Sequence, residues 1–340
     1  SSSFPVPPAI MAMAGSEVPL PTVPDDVDFR TDSFANSQGL KLQTFRFGRR
    51  AGGYKGVVWL CHGYSGHTVF EWFLPAREGD PHDTWRGSLL EVLVGAGYFV
   101  CTLDQQSHGR SEGAQGVRCL VNRFDDLPDE NLAYLTTLLQ DPDLQSLPVF
   151  CLGISMGGAT AVRMAQKQPG VFRGAVLLAP MLSLEEVKKK TVVCCIRNAH
   201  LLPVADFLAR MVPTMPLAKV QKNTLHPLSQ KEMDEDRLAY HGDVRIRTAK
   251  SFNDVTDGFM SGGLREMRTP FLTIHAARDS FTDPSGSQRL LNEAESQDKT
   301  YLKVGPGLDL DLNMWHGLTS EPGHDVVFRT VADWLSARTP

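Results

Sequence analysis

The residue pattern best suited to covalent chemistry in this chain is Gly153-Ile154-Ser155-Met156-Gly157, a serine with a glycine two positions away on either side. It follows an apolar run ending at Leu152 and precedes a helical pattern. A hydroxyl on a tight strand-to-helix turn needs small neighbours, because the turn presses together the residues two before and two after it. The helix starting there aims its positive end at the same spot, which favours developing negative charge. Once a base takes its proton, such a serine can attack a carbonyl carbon, and the chemistry is acyl transfer through a covalent intermediate.

On a turn of this kind the partners follow the nucleophile in the order Ser, Asp or Glu, His. That order removes His62, His67, His82 and His108. His200, His226 and His241 fall in a segment of different rhythm, His275 lies inside a predicted strand, and His324 sits near the start of the last helix. His316, in Met314-Trp315-His316-Gly317-Leu318, falls between the last strand and the last helix and is the expected base. The orienting carboxylate belongs on a loop after a strand, and Asp279 comes directly after the run Phe271 to His275. Asp283 also precedes Pro284, where it would cap a helix, while Asp309 and Asp311 near His316 stand as competitors. His62-Gly63-Tyr64-Ser65-Gly66 ends another buried run; the backbone N–H of Tyr64, with that of Met156, is expected to receive the oxyanion. The loop Asp104 to Gly113 reads as structural.

These residues need a scaffold that holds them on successive loops. Leu40 to Phe47 alternates in period two, as a strand at a sheet edge does. Val57 to Cys61, Phe99 to Leu103, Pro148 to Leu152, Gly174 to Leu178, Phe271 to His275 and Tyr301 to Val304 read as strands, most of them continuously apolar as if buried on both faces. Helical patterns span Trp85 to Ala96 (with Asp83 or Thr84 as cap), Phe124 to Leu139, Gly157 to Gln168, Gly286 to Glu295 and Val326 to Ala337. Strands alternating with helices predict an α/β fold with a mainly parallel central sheet covered by helices on both faces. The rhythm breaks in 182–266, which reads as a helical cap inserted between the two parts of the core, 30–181 and 267–340. Residues 1–29, rich in Pro, Ser and Ala, read as a poorly ordered N-terminal segment.

The chain has 340 residues, 42% hydrophobic and 21% charged, with a formal net charge of -5. That balance fits a globular protein with a large core and offers no basic stripe for nucleic acid. The expected partner is a small molecule, with no cofactor and no obligate protein partner. The six cysteines make no zinc spacing, and Cys61, Cys101 and Cys151 sit in buried runs, so metal ligands are not expected and a reducing compartment is favoured. No stretch of 18 apolar residues appears. Apolar side chains such as Leu201, Leu202, Phe207, Leu208 and Met211 suit a greasy entrance or a peripheral membrane contact, with core packing the plainer alternative; the run Lys188 to Lys190 reads as a solvated face. A cytoplasmic or peripheral-membrane location is expected, and a chain that does not begin with Met leaves room for a trimmed leader.

Taken together, the motifs resemble the monoacylglycerol lipase and lysophospholipase-like group of α/β-hydrolases, most closely its plant and algal branch, which includes caffeoylshikimate esterases. The likeness runs over residues 30 to 338 and rests on His62-Gly63, Asp104 to Gly113, Gly153 to Gly157, Tyr240-His241-Gly242 with Arg245, Arg247, Thr248 and Ala249, Asp279 to Pro284, Asp298 to Thr300, and Met314 to Thr319. It implies a triad of Ser155, Asp279 and His316, backbone oxyanion donors at Tyr64 and Met156, substrate contacts at His62, Gly63 and Tyr240, and a helical cap over an acyl channel. The implied substrate is a lipid-like ester, a monoacylglycerol or lysophospholipid; acyl transfer, a phenolic ester of the caffeoylshikimate kind, and a non-catalytic receptor on the same fold are the alternatives. The sequence departs from the group at Gly66, where animal members carry a glutamate that holds glycerol, so selectivity for a glycerol head is not implied. Leu308 to Asn313, just ahead of His316, and Leu74 to Asp83 read as insertions.

Overall fold

A computed structural model describes residues 18–50, 52–186, 191–193, 196–197 and 207–340. Eight strands form one sheet: β1 (Val27–Ala35), β2 (Lys41–Arg49), β3 (Gly56–Cys61), β4 (Tyr98–Leu103), β5 (Val149–Ile154), β6 (Phe172–Leu178), β7 (Phe271–Ala276) and β8 (Lys299–Val304). Their spatial order is β1-β2-β4-β3-β5-β6-β7-β8. The pairs β1–β2 and β2–β4 are antiparallel and every later pair is parallel. All residues of β3, β4, β5 and β7 are buried, which is why these strands read as unbroken apolar runs.

Alternation along each strand divides its side chains between two cores. Val57, Trp59 and Cys61 of β3 pack on one face, Val58 and Leu60 on the other. Helices α3 (Asp126–Leu138) and α4 (Met156–Lys167) cover the first face, and α2 (Leu89–Gly95) and α8 (His324–Ser336) the second. Other helices among the described residues are α1 (Thr68–Trp72), α5 (Pro227–Glu235), α6 (Ile246–Met260) and α7 (Pro284–Glu293). With six parallel strands flanked by helices, the protein has the α/β-hydrolase fold.

Three boundaries depart from the sequence reading. The first sheet strand, β1, starts at Val27, and β1, not β2, forms the sheet edge; its half-exposed, polar side chains hid it. Helix α2 starts at Leu89, because Ser88 rather than Asp83 or Thr84 caps it, accepting the Glu91 N–H. Trp85 instead packs against Phe47 and Phe73. Within 182–266 the described residues form α5, α6, a helical stretch at 207–211, a 3-10 turn at Gly263–Glu266 and two short antiparallel pairs, Thr191–Val193 with Ile196–Arg197 and Pro216–Ala218 with Val244–Arg245. Lys188 to Lys190, Cys194, Cys195, His200, Leu201 and Leu202 lie outside the described residues. Four cysteines, 61, 101, 119 and 151, are buried free thiols.

Candidate active site

Parallel strands bring their C-terminal ends to one edge of the sheet, and the residues singled out by the sequence gather there. Ser155 follows β5 with φ 55° and ψ -120°, a left-handed conformation that costs a non-glycine residue strain. Its backbone is tied on both sides: its N–H donates to the Leu178 carbonyl at 3.0 Å, and its carbonyl accepts from Met181 at 2.9 Å and Gly158 at 3.0 Å. A Cβ on Gly157 would collide with the Cys61 carbonyl, and one on Gly153 with the Gly157 carbonyl, so the flanking glycines are steric requirements. Helix α4 begins at Met156 and directs its N-terminus at the serine.

Asp279 lies just beyond β7, two strands from β5. Its Oδ2 is 2.7 Å from His316 Nδ1, and its Oδ1 accepts the N–H groups of Phe281 at 2.7 Å and Thr282 at 3.0 Å. Oδ2 also takes the Thr282 hydroxyl at 3.0 Å and stands 3.2 Å from His275 Nε2. Burial opposes its charge, yet His316 and His275 outweigh it and hold the carboxyl well below the usual carboxylate range. Burial likewise opposes a charge on His316, but Asp279, joined by Glu321 and Glu71, raises its pKa above the ordinary histidine value. The imidazole stacks on Phe281, centroids 4.9 Å apart at 24°. Among the described residues the Ser155 hydroxyl has no hydrogen-bond partner. Such contacts commonly tighten only in the reacting complex.

The competing carboxylates are occupied elsewhere. Asp283 caps α7, accepting from Ser285 N–H at 2.9 Å and the Ser183 hydroxyl at 3.2 Å. Asp309 and Asp311 accept the N–H groups of Lys303 and Gly307, each at 2.9 Å, and shape the exposed loop before His316.

Of the expected substrate contacts, His62 is placed away from solvent. It is fully buried, its Nδ1 lies 2.8 Å from the Gly63 carbonyl and its Nε2 accepts the Gln105 N–H at 2.9 Å. Burial lowers its pKa to about 4, so it is a neutral strut between the loops after β3 and β4. Gly63 does reach the serine: a side chain there would start 3.5 Å from Ser155 Cβ. Tyr240 donates its hydroxyl to the Asp243 carbonyl at 2.9 Å, and its N–H to the Ser65 carbonyl at 2.8 Å. It thereby ties 182–266 to the loop after β3. Tyr64 packs edge-on against Tyr240 and Phe252. Asp104 accepts the N–H groups of Thr68 and Arg110, a folding role for its loop.

Sequence reasoning missed three side chains. Glu321 is fully buried and accepts the N–H groups of Trp315 at 2.6 Å, His316 at 3.1 Å and Gly317 at 2.9 Å. It also takes Asn223 Nδ2 at 2.8 Å and lies 3.5 Å from His226. By sequence His275 reads as a strand residue, and Glu71 stands inside an apolar run. Glu71 accepts the Gly63 N–H at 3.1 Å and the Thr319 hydroxyl at 2.6 Å. The descriptive signal for all three is a polar residue inside an otherwise apolar stretch or beside the base.

Known proteins share this architecture. The chain is 26% identical over 328 residues to caffeoylshikimate esterase of Arabidopsis thaliana, covering 93% of this chain and 90% of that one. It is 28% identical over 256 residues to human monoglyceride lipase, 74% of this chain and 77% of that one. Among solved structures, a soluble variant of Saccharomyces cerevisiae monoglyceride lipase in complex with a substrate analog superposes with a TM-score of 0.70 at 18% identity, over 96% of this chain and 99% of that one. Monoacylglycerol lipase of Paleococcus ferrophilus gives a TM-score of 0.66 at 22% identity, over 87% and 99%. With residues 81–323 matching its description, the chain belongs to the Serine aminopeptidase, S33 (Hydrolase_4) family.

Proposed function

We propose that the protein is a serine hydrolase that cleaves carboxylic esters of lipid-like acyl chains, such as monoacylglycerols or lysophospholipids. The observation that carries the reading is the 2.7 Å contact of Asp279 Oδ2 with His316 Nδ1 at the sheet edge that also holds the strained Ser155. Nδ1 donates to Asp279, leaving Nε2 to take the Ser155 proton as Oγ attacks the ester carbonyl. The N–H groups of Tyr64 and Met156, which have no partner among the described residues, receive the oxyanion. His316 returns its proton to the departing alcohol; an acyl ester remains on Ser155. Water, deprotonated by the same imidazole, then releases the acid. Residues 182–266 serve as a cap over the acyl channel. Its exposed Phe207, Met211 and Val212 suit a lipid surface.

A phenolic ester of the caffeoylshikimate kind is the second reading, favoured by the Arabidopsis relative that aligns over 93% of the chain. A fluorophosphonate probe should label the protein at Ser155, and Ser155→Ala and His316→Ala should abolish both labelling and turnover. Full activity of Ser155→Ala on short p-nitrophenyl esters would end the proposal. Turnover of a monoacylglycerol, a lysophospholipid and caffeoylshikimate, side by side, separates the two readings.

A further inference from the structure

From a helix of five residues, Glu71 reaches two loops that the reaction must keep in register. The other members of α1, Thr68, Val69, Phe70 and Trp72, are buried. A carboxylate in such company is costly unless donors meet it, and two do: Gly63 N–H at 3.1 Å and the Thr319 hydroxyl at 2.6 Å. Gly63 adjoins Tyr64, the proposed oxyanion donor, and Thr319 lies three residues past His316. A side chain begun at Gly63 would start 3.3 Å from Glu71 Oε2 and 3.5 Å from Ser155 Cβ, so Glu71 and Ser155 both border Gly63.

We infer that Glu71 is a positioning residue that clamps the oxyanion loop to the base loop and adds a third carboxylate, after Asp279 and Glu321, to the surroundings of His316. The inference rests on the triad reading above. The carboxylates facing His316 are Asp279, Glu321 and Glu71; burial raises the Glu71 carboxyl above the usual carboxylate value, opposed by the Thr319 and Gly63 donors and by His316 and His82. The two roles separate by substitution. Gln keeps the bridge, since its carbonyl accepts from Gly63 and its amide can donate to Thr319, but it removes the charge. Ala removes both, and Thr319→Val removes the bridge while keeping the charge.

The test is a pH–rate series on a p-nitrophenyl ester, with Ser155→Ala as control and circular dichroism to verify folding. Loss of a nearby negative charge lowers the histidine pKa, so Glu71→Gln should move the acid limb of kcat/KM down by about half a unit, with plateau kcat within about threefold of wild type. Glu71→Ala should lower plateau kcat about tenfold with little change in KM, because misplaced loops cost rate rather than binding. Thr319→Val should lower kcat with the limb unmoved, and adding it to Glu71→Ala should cost little more. A folded Glu71→Ala with wild-type plateau kcat overturns the clamp, and an unmoved limb in Glu71→Gln overturns the charge role. If Glu71→Ala does not fold, an unchanged kcat in Thr319→Val overturns the clamp in its place. Activity in Ser155→Ala would instead refute the triad reading.

Discussion

Glu321 holds His316 by the backbone, accepting its N–H at 3.1 Å while also accepting those of the residues on either side. Three consecutive N–H groups on one buried carboxylate fix where the imidazole starts, as Asp279 fixes where it points. Replacing Glu321 by Ala strands buried donors, each worth on the order of 1–3 kcal/mol. We expect Glu321→Ala to lose at least about 3 kcal/mol of stability in urea unfolding and more than tenfold in kcat. A kcat that survives in a folded variant would show that the base loop needs no such anchor.

On the proposed mechanism, Asp279 and His316 set the pH dependence. The histidine must be neutral to act as base, and its pKa is raised above 6.5, so the acid limb of kcat/KM should lie above pH 6.5. Asp279→Asn removes the main source of that rise. The limb should then move to lower pH, while kcat falls about 10⁴-fold from loss of the orienting acceptor. Titration of kcat/KM in both proteins checks the sign.

His275 shares Asp279 Oδ2 with His316, from 3.2 Å, and its Nδ1 lies 2.7 Å from the Ser287 hydroxyl. Substituting Phe for His275 should let the Asp279 carboxylate drift. We expect kcat about tenfold lower, and a fluorophosphonate labelling rate reduced in step, since both need the same base.

Asp236 joins the 182–266 segment to the core through His67 at 3.0 Å. Burial opposes its charge, but His67 and the N–H groups of Leu238 and Ala239 hold its pKa down to about 2, against 3.8 in an ordinary aspartate. A depressed carboxyl stabilises the fold above the unfolded pKa, and that contribution disappears as pH falls from about 4 towards 2. Asp236→Asn should therefore be less stable than the wild type at pH 6, by about 1–2 kcal/mol, with the gap closing near pH 2. Thermal unfolding at both pH values measures it.

Gly157→Ala would drive a methyl group into the Cys61 carbonyl. Both backbones are locked in the sheet and helix, so about 3 kcal/mol or more of stability should be lost. A Tm within 2 °C of wild type, by roughly the scaling for domains of this size, would disprove the collision.

Much of this site was legible because its parts carry local signatures. Ser155 sits between glycines that sterics demand, β3 to β5 are apolar runs that only a doubly covered sheet accepts, and His316 occupies the gap between β8 and α8. What escaped reading depends on residues far apart in the chain. Glu71 meets Thr319 across 248 positions, and no local pattern announces that meeting. The resemblance implies a substrate contact at His62, whereas the fold buries its ring against Gln105, a partner 43 residues away in the chain. Strand β1 lacked an apolar run because an edge strand has one side in water.

Strand β7 pairs in parallel with β6, Phe271 opposite Ala175, although some ninety residues separate them. The chain thus departs from the sheet and rejoins it in the adjacent lane. Whatever is spliced into that detour can grow, shrink or be exchanged without shifting a single rung of the ladder. Only the stretches that touch the loops around Glu321 and Ser65, at Asn223, His226 and Tyr240, are bound to keep their place.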